Sequence, residues 1–488
     1  MNRNDVKKSV FILVSCCLLL SAAGEELTLR IIQTTDLHGS IDHGRLARTA
    51  TLVEQETQAA GGPDKSLRID CGDLIQGTYA MTDPEGRALM IHFLNRLSFD
   101  VFVPGNHDFE FGSASLLVLL RQFRGTVLAV NLDWKNAPVL PWKMFRRNGL
   151  NIAVIGIAYP ALDRMFLPQI LGQAHSREAG PALEKIIPQV IRSRPDLIVL
   201  AVHAGEHTRL GPGFTMFDLI RKFPQIDLVL CGHSHRQDAG RMIGANTWRM
   251  QSPALAYGIG VAEIRFDSKK KRITSLQTRL IPIDQVGEHP EIRNQVNELN
   301  RKISRSGRRK IAAVPFELRP PEKTEIASAL TDLYGRAVMA HTGAEIVFYG
   351  VNSRFRLNPG ILNEFLLFRL MPYDDYAVTV DLTAGEIQRI LTEQLQIHRK
   401  GGMYQPPCGL RFTVLRRRPA ALMLASSGRP LEDGRTYRTA FSSYIFSGSG
   451  RCPVLHAIVK QKKAGYFSQT VRKMVMDYLQ ENYPIKTK

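Results

Sequence analysis

The segment "VLCGHSHR", residues 229–236, places two histidines on a turn directly after an apolar run. The run ends at Gly232, and His233 and His235 follow with one residue between them. A single pair of this kind is typical of a polar surface loop. The pair becomes informative because four other apolar runs in the chain also end in polar side chains.

Those four runs are "IIQTTDLHG", "RIDCGD", "FVPGNHD" and "VLAVHAG". Apolar runs rich in Val, Ile and Leu that alternate with helical patterns indicate buried strands of an α/β sheet. The carboxyl ends of such strands share one edge, where ligands bind. We therefore expect the polar residues at the ends of these four runs to converge with His233 and His235. They are Asp36, His38, Asp73, Asn106, His107, Asp108 and His203.

Imidazole, carboxylate and amide oxygen together form a mixed set of metal ligands. Imidazole suits zinc, nickel or iron, and the oxygen ligands also suit manganese or magnesium, so the metal stays open. The residues outnumber the ligands of one tetrahedral zinc. They fit two ions that share a carboxylate, an arrangement that activates water and clamps phosphoryl oxygens.

Residues 1–23 have the pattern of a signal peptide. Arg3, Lys7 and Lys8 precede the apolar run "VFILVSCCLLLSAA", and small residues stand before a cleavage point after Ala23. We expect an exported protein, periplasmic or secreted, with no transmembrane segment. The alternative is a lipid-anchored protein, because "LVSC" ending at Cys16 resembles a lipobox.

The chain is strongly basic, with a net charge of +19 over 488 residues. Removal of the signal peptide takes away three basic residues and one acid and leaves +17. This charge favours anionic partners without choosing among phosphorylated solutes, nucleic acid and anionic surfaces. Because a two-metal site clamps phosphoryl oxygens, we expect a small phosphate ester and no stable nucleic-acid partner; the oligomeric state is open.

The pattern of elements predicts two domains. Strand and helix signals alternate over residues 24–288, and a helix with the basic connector "SRSGRRK" occupies 289–321. Residues 322–488 have a mixed α+β pattern. In an exported protein, Cys408 and Cys452 could form a disulfide, although spacing alone does not bring them together.

The ordered motifs "TTDLHG", "CGD", "GNHD", "VHAG" and "GHSH" resemble those of the calcineurin-like metallophosphoesterases. "TTDLHG" followed by "GRLARTATLV" and a second domain resembles the secreted 5′-nucleotidase family, from about Leu27 to the end of the chain. The resemblance implies an α/β fold, a four-layer αββα sandwich with a second α+β domain. It also implies two divalent metal ions, zinc, manganese or similar, and hydrolysis of nucleoside monophosphates by a metal-activated water.

The same resemblance implies a role for each site residue. Asp36, His38 and His235 would hold one ion, and Asn106, His203 and His233 the other, with Asp73 bridging both. His107 corresponds to the family's catalytic histidine, and Glu110 to the acid that orients it. The family usually has Glu after this histidine and Asp at the third position, so Asp108 and Glu110 are exchanged here.

The carboxyl domain departs further from the family. In "YGVNSRFRLNPG", Asn352 and Arg354 match substrate-binding positions, but the glycines are missing. Tyr404 or Met403 stands where a base-stacking Phe is usual. Arg451 in "SSYIFSGSGR" replaces the second aromatic residue, and the usual acid is absent. Core packing is the other interpretation of Tyr404 and Tyr444.

Several functions therefore remain beside the 5′-nucleotidase. Related enzymes of this design would be a cyclic-nucleotide phosphodiesterase, a nucleotide-sugar pyrophosphatase or a sulfur-ester hydrolase. A different class would be a metal-stabilised binding protein whose substrate clamp has decayed.

Overall fold

The computed structural model describes residues 26–205, 208–210 and 214–486. The predicted signal peptide and Cys16 lie outside these ranges. Residues 26–307 build two large sheets with helices on their outer faces, and one small two-stranded sheet. Residues 310–486 build a five-stranded sheet with helices on both sides, and two small two-stranded sheets.

The strands of the amino-terminal part begin with the predicted apolar runs. In chain order they are β1 (Glu26–Thr34), β2 (Ser66–Asp70), β3 (Val101–Phe102), β4 (Thr126–Leu128), β5 (Leu132–Trp134), β6 (Val139–Leu140), β7 (Trp142–Arg147), β8 (Leu150–Ile157), β9 (Ala174–Ser176), β10 (Leu197–Val202), β11 (Leu228–Cys231), β12 (Asp238–Met242), β13 (Trp248–Gln251), β14 (Gly258–Asp267) and β15 (Arg272–Pro282).

The helices of this part follow the apolar spacing of the sequence. They are α1 (Arg45–Ala59), α2 (Pro84–Arg96), α3 (Ser113–Gln122), α4 (Pro168–Leu171), α5 (Ala179–Arg192), α6 (Met216–Lys222) and α7 (Pro290–Gly307). Pro290 occupies the first turn of α7, where its missing N–H costs nothing.

The two large sheets pack face to face. One has the order β15-β14-β1-β2-β3-β4-β6, and the other β12-β13-β11-β10-β8-β7. Side chains such as Ile31 and Val154 fill the space between the sheets. Helices α1, α2, α3 and α7 cover the outer face of the first sheet, and α5 and α6 that of the second. These are four layers, so the predicted αββα sandwich is confirmed.

The polar residues of the motifs lie at one edge because the strands that carry them run parallel. β1, β2 and β3 are parallel neighbours in one sheet, and β8, β10 and β11 in the other. The loops after β1, β2, β3, β10 and β11 therefore leave the sandwich on the same side.

The carboxyl-terminal part is an α+β unit, as predicted. Its strands are β16 (Lys310–Val314), β17 (Ile346–Phe348), β18 (Gly360–Asn363), β19 (Tyr376–Thr383), β20 (Pro407–Cys408), β21 (Leu410–Leu415), β22 (Arg418–Leu424), β23 (Thr436–Ser442) and β24 (Gly465–Thr470). Its helices are α8 (Ala329–Thr342), α9 (Glu364–Leu370), α10 (Ala384–Arg399), α11 (Ser443–Phe446), α12 (Pro453–Val459) and α13 (Val471–Asn482).

A five-stranded sheet, β20-β17-β23-β19-β24, forms the centre of this unit. Helices α8 and α13 pack on one face, and α10 and α12 on the other. The basic segment after the predicted linker helix is short, because structured elements lie close on both sides of it. Helix α7 continues to Gly307, whose Cα lies beside the ring of Tyr79, and Lys310 already begins a strand that pairs with β18.

Cys408 and Cys452 do not form the disulfide that the sequence allowed. The thiols of Cys408 and Cys452 are both free. The Cys408 sulfur contacts the sulfur of Met339 at 3.8 Å, whereas the Cys452 sulfur accepts a hydrogen bond from Gln394 at 3.3 Å. Among the helices of the described ranges, none combines the length and apolar character needed to cross a membrane.

Candidate metal centre and adjoining cavity

The loops at the shared sheet edge bring the predicted metal ligands into two adjoining groups. One group is Asp36, His38, Asp73 and His235, and the other is Asp73, His203 and His233. Within each group the candidate ligand atoms lie within 4.8 Å of one another. Asp73 belongs to both groups, which is the position of a bridging carboxylate.

Asn106 completes the second group. Its side-chain oxygen lies 2.9 Å from Nδ1 of His233. In the first group, Nε2 of His38 lies 3.0 Å from Nε2 of His235. Two ring nitrogens this close together can both coordinate the same metal ion.

Two buried polar atoms at the junction of the groups support a fit to metal ions. Oδ2 of Asp73 and Nε2 of His203 are buried, and neither has a hydrogen-bond partner among the described residues. They lie 3.1 Å apart. A buried carboxylate oxygen without a partner is costly, so a cation between these residues would satisfy both atoms.

The backbone at the site is held in an unusual conformation. Five of the seven candidate ligands have φ between 48° and 68°, in the left-handed region that non-glycine residues rarely adopt: Asp36, His38, Asp73, His233 and His235. Such strain concentrates at functional sites, where the surrounding structure maintains it. It turns consecutive side chains toward one point.

Gly105 is required for the close approach of two of these loops. A Cβ at this position would lie 2.5 Å from the backbone nitrogen of Asp73 and 2.7 Å from Cε1 of His203. Any side chain at 105 would therefore push the loop of Asn106 and His107 away from Asp73.

Backbone carbonyls set the orientation of the histidine rings. Nδ1 of His203 lies 2.6 Å from the carbonyl oxygen of Cys71, and Nδ1 of His38 lies 3.1 Å from that of Gln76. A proton on each Nδ1 donates to the carbonyl and leaves Nε2 as the ligand atom. The sequence motifs gave no signal for these two contacts.

The electrostatic environment is consistent with metal binding. Burial lowers the pKa of His38 and of His233 to about 4, so both imidazoles are neutral near pH 7, as metal ligands must be. Burial also disfavours a charge on His203, but Asp73 outweighs it and raises the pKa of His203 to about 10. A metal ion at this position would displace the proton of His203.

His107 and Glu110 form the predicted pair. Nδ1 of His107 donates to Oε1 of Glu110 at 2.5 Å, and the backbone N–H of His107 donates to Oδ1 of Asp73 at 2.7 Å. Burial opposes protonation, yet the carboxylates of Asp73 and Glu110 raise the pKa of His107 to about 9. The longer side chain at position 110 therefore reaches the histidine.

Asp108 is a functional residue whose role the sequence did not reveal. Its buried carboxylate accepts four backbone N–H groups, from Asp73, Leu74, Ile75 and Gly105, at 2.7–3.2 Å. It thereby ties the loop of the candidate bridging residue to the loop of Asn106 and His107. Its place directly after His107 in "GNHD" was the available signal.

A cavity of about 910 Å³ opens beside the metal centre. Asn106, His107, Glu110 and His233 form one wall. The ring of Tyr373 lies 5.7 Å from that of His107, so the carboxyl-terminal part borders the candidate catalytic pair. The segment after β8 adds an apolar wall that the sequence motifs did not predict: Met165, Phe166 and Leu167, with Ile170 of α4.

The three substrate-binding residues predicted in the carboxyl-terminal part, Asn352, Arg354 and Tyr404, all line this cavity. Tyr404 is nevertheless largely buried, and its ring centroid lies 4.5 Å from that of His398, with the two rings tilted by 35°. Tyr444 also lines the cavity, whereas Arg451 is exposed and does not.

The chain matches two family models. Residues 29–237 match the calcineurin-like phosphoesterases, and residues 310–457 match the 5′-nucleotidase C-terminal domain. The protein UshA of Escherichia coli is 23% identical over 98% of this chain and 95% of its own length. A 5′-nucleotidase of Vibrio cholerae is 22% identical over 95% of this chain and 92% of its own.

Among solved structures, a candidate 5′-nucleotidase of Staphylococcus aureus superposes with a TM-score of 0.78. It is 18% identical, and the match covers 94% of this chain and 98% of that one. At this identity the likeness supports the fold alone. The two family models show that the chain is a metal-dependent phosphoric ester hydrolase of the family that joins a calcineurin-like phosphoesterase domain to a 5′-nucleotidase C-terminal domain.

Proposed function

We propose that the protein is an exported 5′-nucleotidase that converts nucleoside monophosphates to nucleoside and phosphate. The observation that carries this proposal is the cavity, which joins the candidate metal ligands to Arg354 and to tyrosine side chains of the carboxyl-terminal part. Its volume of about 910 Å³ is within the range of small-molecule sites.

We propose that Asp36, His38 and His235 hold one divalent ion, that Asn106, His203 and His233 hold the other, and that Asp73 bridges them. When bound, these two metal ions would lower the pKa of water and polarise the phosphoryl group. The mixed ligand set is compatible with zinc or manganese.

His107 would act on the substrate itself. Because its Nδ1 donates to Glu110, Nε2 is the nitrogen available toward the cavity that His107 lines. A proton on Nε2 can stabilise charge on a phosphoryl oxygen or protonate the leaving oxygen of the ester. Glu110 would be a positioning residue that fixes the tautomer and the ring of His107.

The far side of the cavity offers cations to an anionic substrate. Arg354 and Lys323 both line it, and neither forms an ion pair with any residue in the described ranges. Tyr373 and Tyr444 add aromatic surface close to the phosphate end. We propose that Asn352, Arg354 and Tyr404 contact the nucleoside monophosphate. Tyr404 would contact it with the edge of its ring, because the ring face is packed on His398.

The test is phosphate release across a substrate panel after reconstitution with manganese or zinc. We expect turnover of p-nitrophenyl phosphate and of nucleoside monophosphates, and loss of both after chelation. Turnover confined to cyclic nucleotides, nucleotide sugars or sulfur esters would select one of the related enzymes. Binding of nucleotides with no turnover of any ester would select the metal-stabilised binding protein.

Export is a second part of the proposal, and it rests on the signal-like pattern of residues 1–23. Amino-terminal sequencing of the protein recovered outside the cytoplasm should begin at Gly24. A lipid-modified amino terminus at Cys16 would instead establish the anchored form. Recovery of the intact chain beginning at Met1 would contradict export.

We also propose a division into domains at residues 24–288 and 322–488, joined by 289–321. The long helix α7 and the change of sheet after it support this division. Limited proteolysis should cut first in the loop that follows β16, at the end of the joining segment, and release two stable fragments. A first cut inside either domain would contradict these boundaries.

A further inference from the structure

The hairpin formed by β21 and β22 carries an unusual concentration of positive charge. The 38 residues from 394 to 431 contain seven basic residues and no Asp or Glu. Four of these, Arg411, Arg416, Arg417 and Arg418, are exposed on the hairpin. None of the four forms an ion pair with a residue in the described ranges, so their charge is directed to solvent or to a partner.

The tip of this hairpin also exposes apolar side chains. Leu415 is 63% exposed, the highest value for a large hydrophobic residue within the described ranges, and its neighbour Val414 is 44% exposed. By contrast, Leu410 and Leu424 at the base of the hairpin are buried against the core of the domain. The hairpin therefore has an anchored base and an apolar, basic tip.

The turn itself places arginines where the backbone favours other residues. Leu415 pairs with Arg418, which leaves Arg416 and Arg417 as a two-residue turn. Their φ values are 47° and 68°, and such turns favour Asn and Gly. Arginine at both positions is a local conflict of the kind that function explains better than folding does.

We propose that the tip of this hairpin, Val414–Arg418, binds the surface of an anionic phospholipid bilayer. The guanidinium groups would pair with lipid phosphates, and Leu415 and Val414 would enter the headgroup region. Nucleic acid matches the charge equally well but offers no apolar medium for Leu415. The two exposed apolar side chains therefore favour a membrane.

This surface is separate from the proposed catalytic residues. Arg399 at the end of α10 donates to the carbonyl oxygen of Arg417 at 3.1 Å and adds its charge to the tip. Lys400 follows it and is also exposed. Neither they nor the tip residues line the cavity beside the metal centre.

The experiment is cosedimentation of the purified mature protein with vesicles. We expect binding to vesicles that mix phosphatidylcholine with phosphatidylglycerol, and at least tenfold weaker binding to phosphatidylcholine alone. Each arginine near an anionic surface is worth about fivefold in affinity, so Arg416→Ser, Arg417→Ser and Arg418→Ser together should weaken binding about 100-fold. Equal binding to both kinds of vesicle would overturn the proposal.

A matched control removes the same charge elsewhere. Arg301→Ser and Arg305→Ser lie on the exposed side of α7, and Arg308→Ser lies directly after its end. Together they should weaken binding to mixed vesicles by less than about threefold. An equal loss in both triple variants would show attraction by net charge alone and would contradict a docking tip. Phosphatase activity of both triple variants should equal that of the unaltered protein, which separates this test from the proposed function.

Two further variants test the apolar part of the tip. Val414→Ser with Leu415→Ser keeps every charge and should weaken vesicle binding about tenfold. In Leu415→Trp, the fluorescence emission of the introduced tryptophan should shift to shorter wavelength when mixed vesicles are added. A nucleic-acid surface would be identified instead if the protein bound an RNA homopolymer more tightly than vesicles and if the double serine variant bound that RNA equally well.

Discussion

The two ends of the candidate site are built differently. At the metal end, Asp36, Asp73 and His203 are at most 1% exposed, and strand ends and backbone hydrogen bonds hold them. At the other end of the cavity, Asn352 and Arg354 are exposed on the loop between β17 and β18. The first end is preorganised, whereas the second has side chains free to adapt.

This difference assigns the two ends different tasks. A preorganised charged centre contributes through interactions that strengthen in the transition state, so its loss should lower kcat. An adaptable wall contributes to binding and to the choice of the leaving group. Substitutions at the metal end should therefore cost orders of magnitude in turnover, and those in the cavity wall should change selectivity by modest factors.

The largest effect is expected at Asp73. Asp73→Asn removes a charge from both ligand groups at once, and a loss of about 4 kcal/mol in transition-state stabilisation corresponds to about a 1000-fold lower kcat. The measurement is steady-state phosphate release from p-nitrophenyl phosphate at saturating manganese. A loss below about tenfold would place Asp73 outside the catalytic centre.

The second prediction separates chemistry from metal binding. His107→Ala should lower kcat by about 100-fold or more and leave the metal content unchanged, because its ring contacts Glu110 and the cavity. His92→Ala, an exposed histidine on α2, is the matched control and should change neither quantity. If His107→Ala instead empties a metal position, its assigned role is wrong.

Asp108→Asn should have a smaller effect, and the quantity it lowers is the affinity for metal. The amide would turn an NH₂ group toward two of the four backbone N–H groups that the carboxylate now accepts. Loss of such support for a ligand loop should weaken metal affinity about 10- to 100-fold. Metal titration at equilibrium measures this. An unchanged affinity would mean that Asp108 is dispensable for holding the loops together.

Glu110→Gln should cost less still, about tenfold in kcat. The amide keeps an oxygen that can accept from Nδ1 of His107 but removes the charge that favours its protonated form. We expect kcat to fall while KM stays within about twofold. A change in KM alone would indicate a role in substrate binding.

The smallest effects concern the cavity wall. Tyr404 is packed on His398, and Arg451 lies outside the cavity, so discrimination between bases should be weak. We expect adenosine, guanosine and uridine monophosphates within about tenfold of one another in kcat/KM, a spread of about 1.4 kcal/mol. Non-nucleotide phosphate esters should be accepted as well. A strong preference for one nucleotide that collapses in Tyr404→Ala would reveal a working base clamp.

The two ends also differ in how far the sequence could predict them. His233 and His235 follow a buried strand at a fixed distance, and strand direction alone brings them to the shared edge where Asp36 lies. An α/β sheet could be predicted from the same pattern, whereas the four-layer αββα arrangement was implied by the family resemblance. Local pattern was sufficient because backbone geometry determines where these side chains meet.

The cavity wall could not be predicted in this way. Phe166 and Met165 reach the cavity from a segment after β8 that carries no motif, and Phe166 packs against the core cluster of the amino-terminal part. The four hydrogen bonds of Asp108 involve backbone groups of two separate loops, which no residue pattern encodes. Side-chain orientation on loops depends on tertiary contacts distant in sequence.

The central claim is a centre of two metal ions that share Asp73. Its most direct test is elemental analysis of the purified protein after loosely bound metal is removed. We predict close to two equivalents of divalent metal per chain, and a large loss of both in Asp73→Ala. One equivalent per chain that Asp73→Ala leaves unaffected would contradict the two-metal centre.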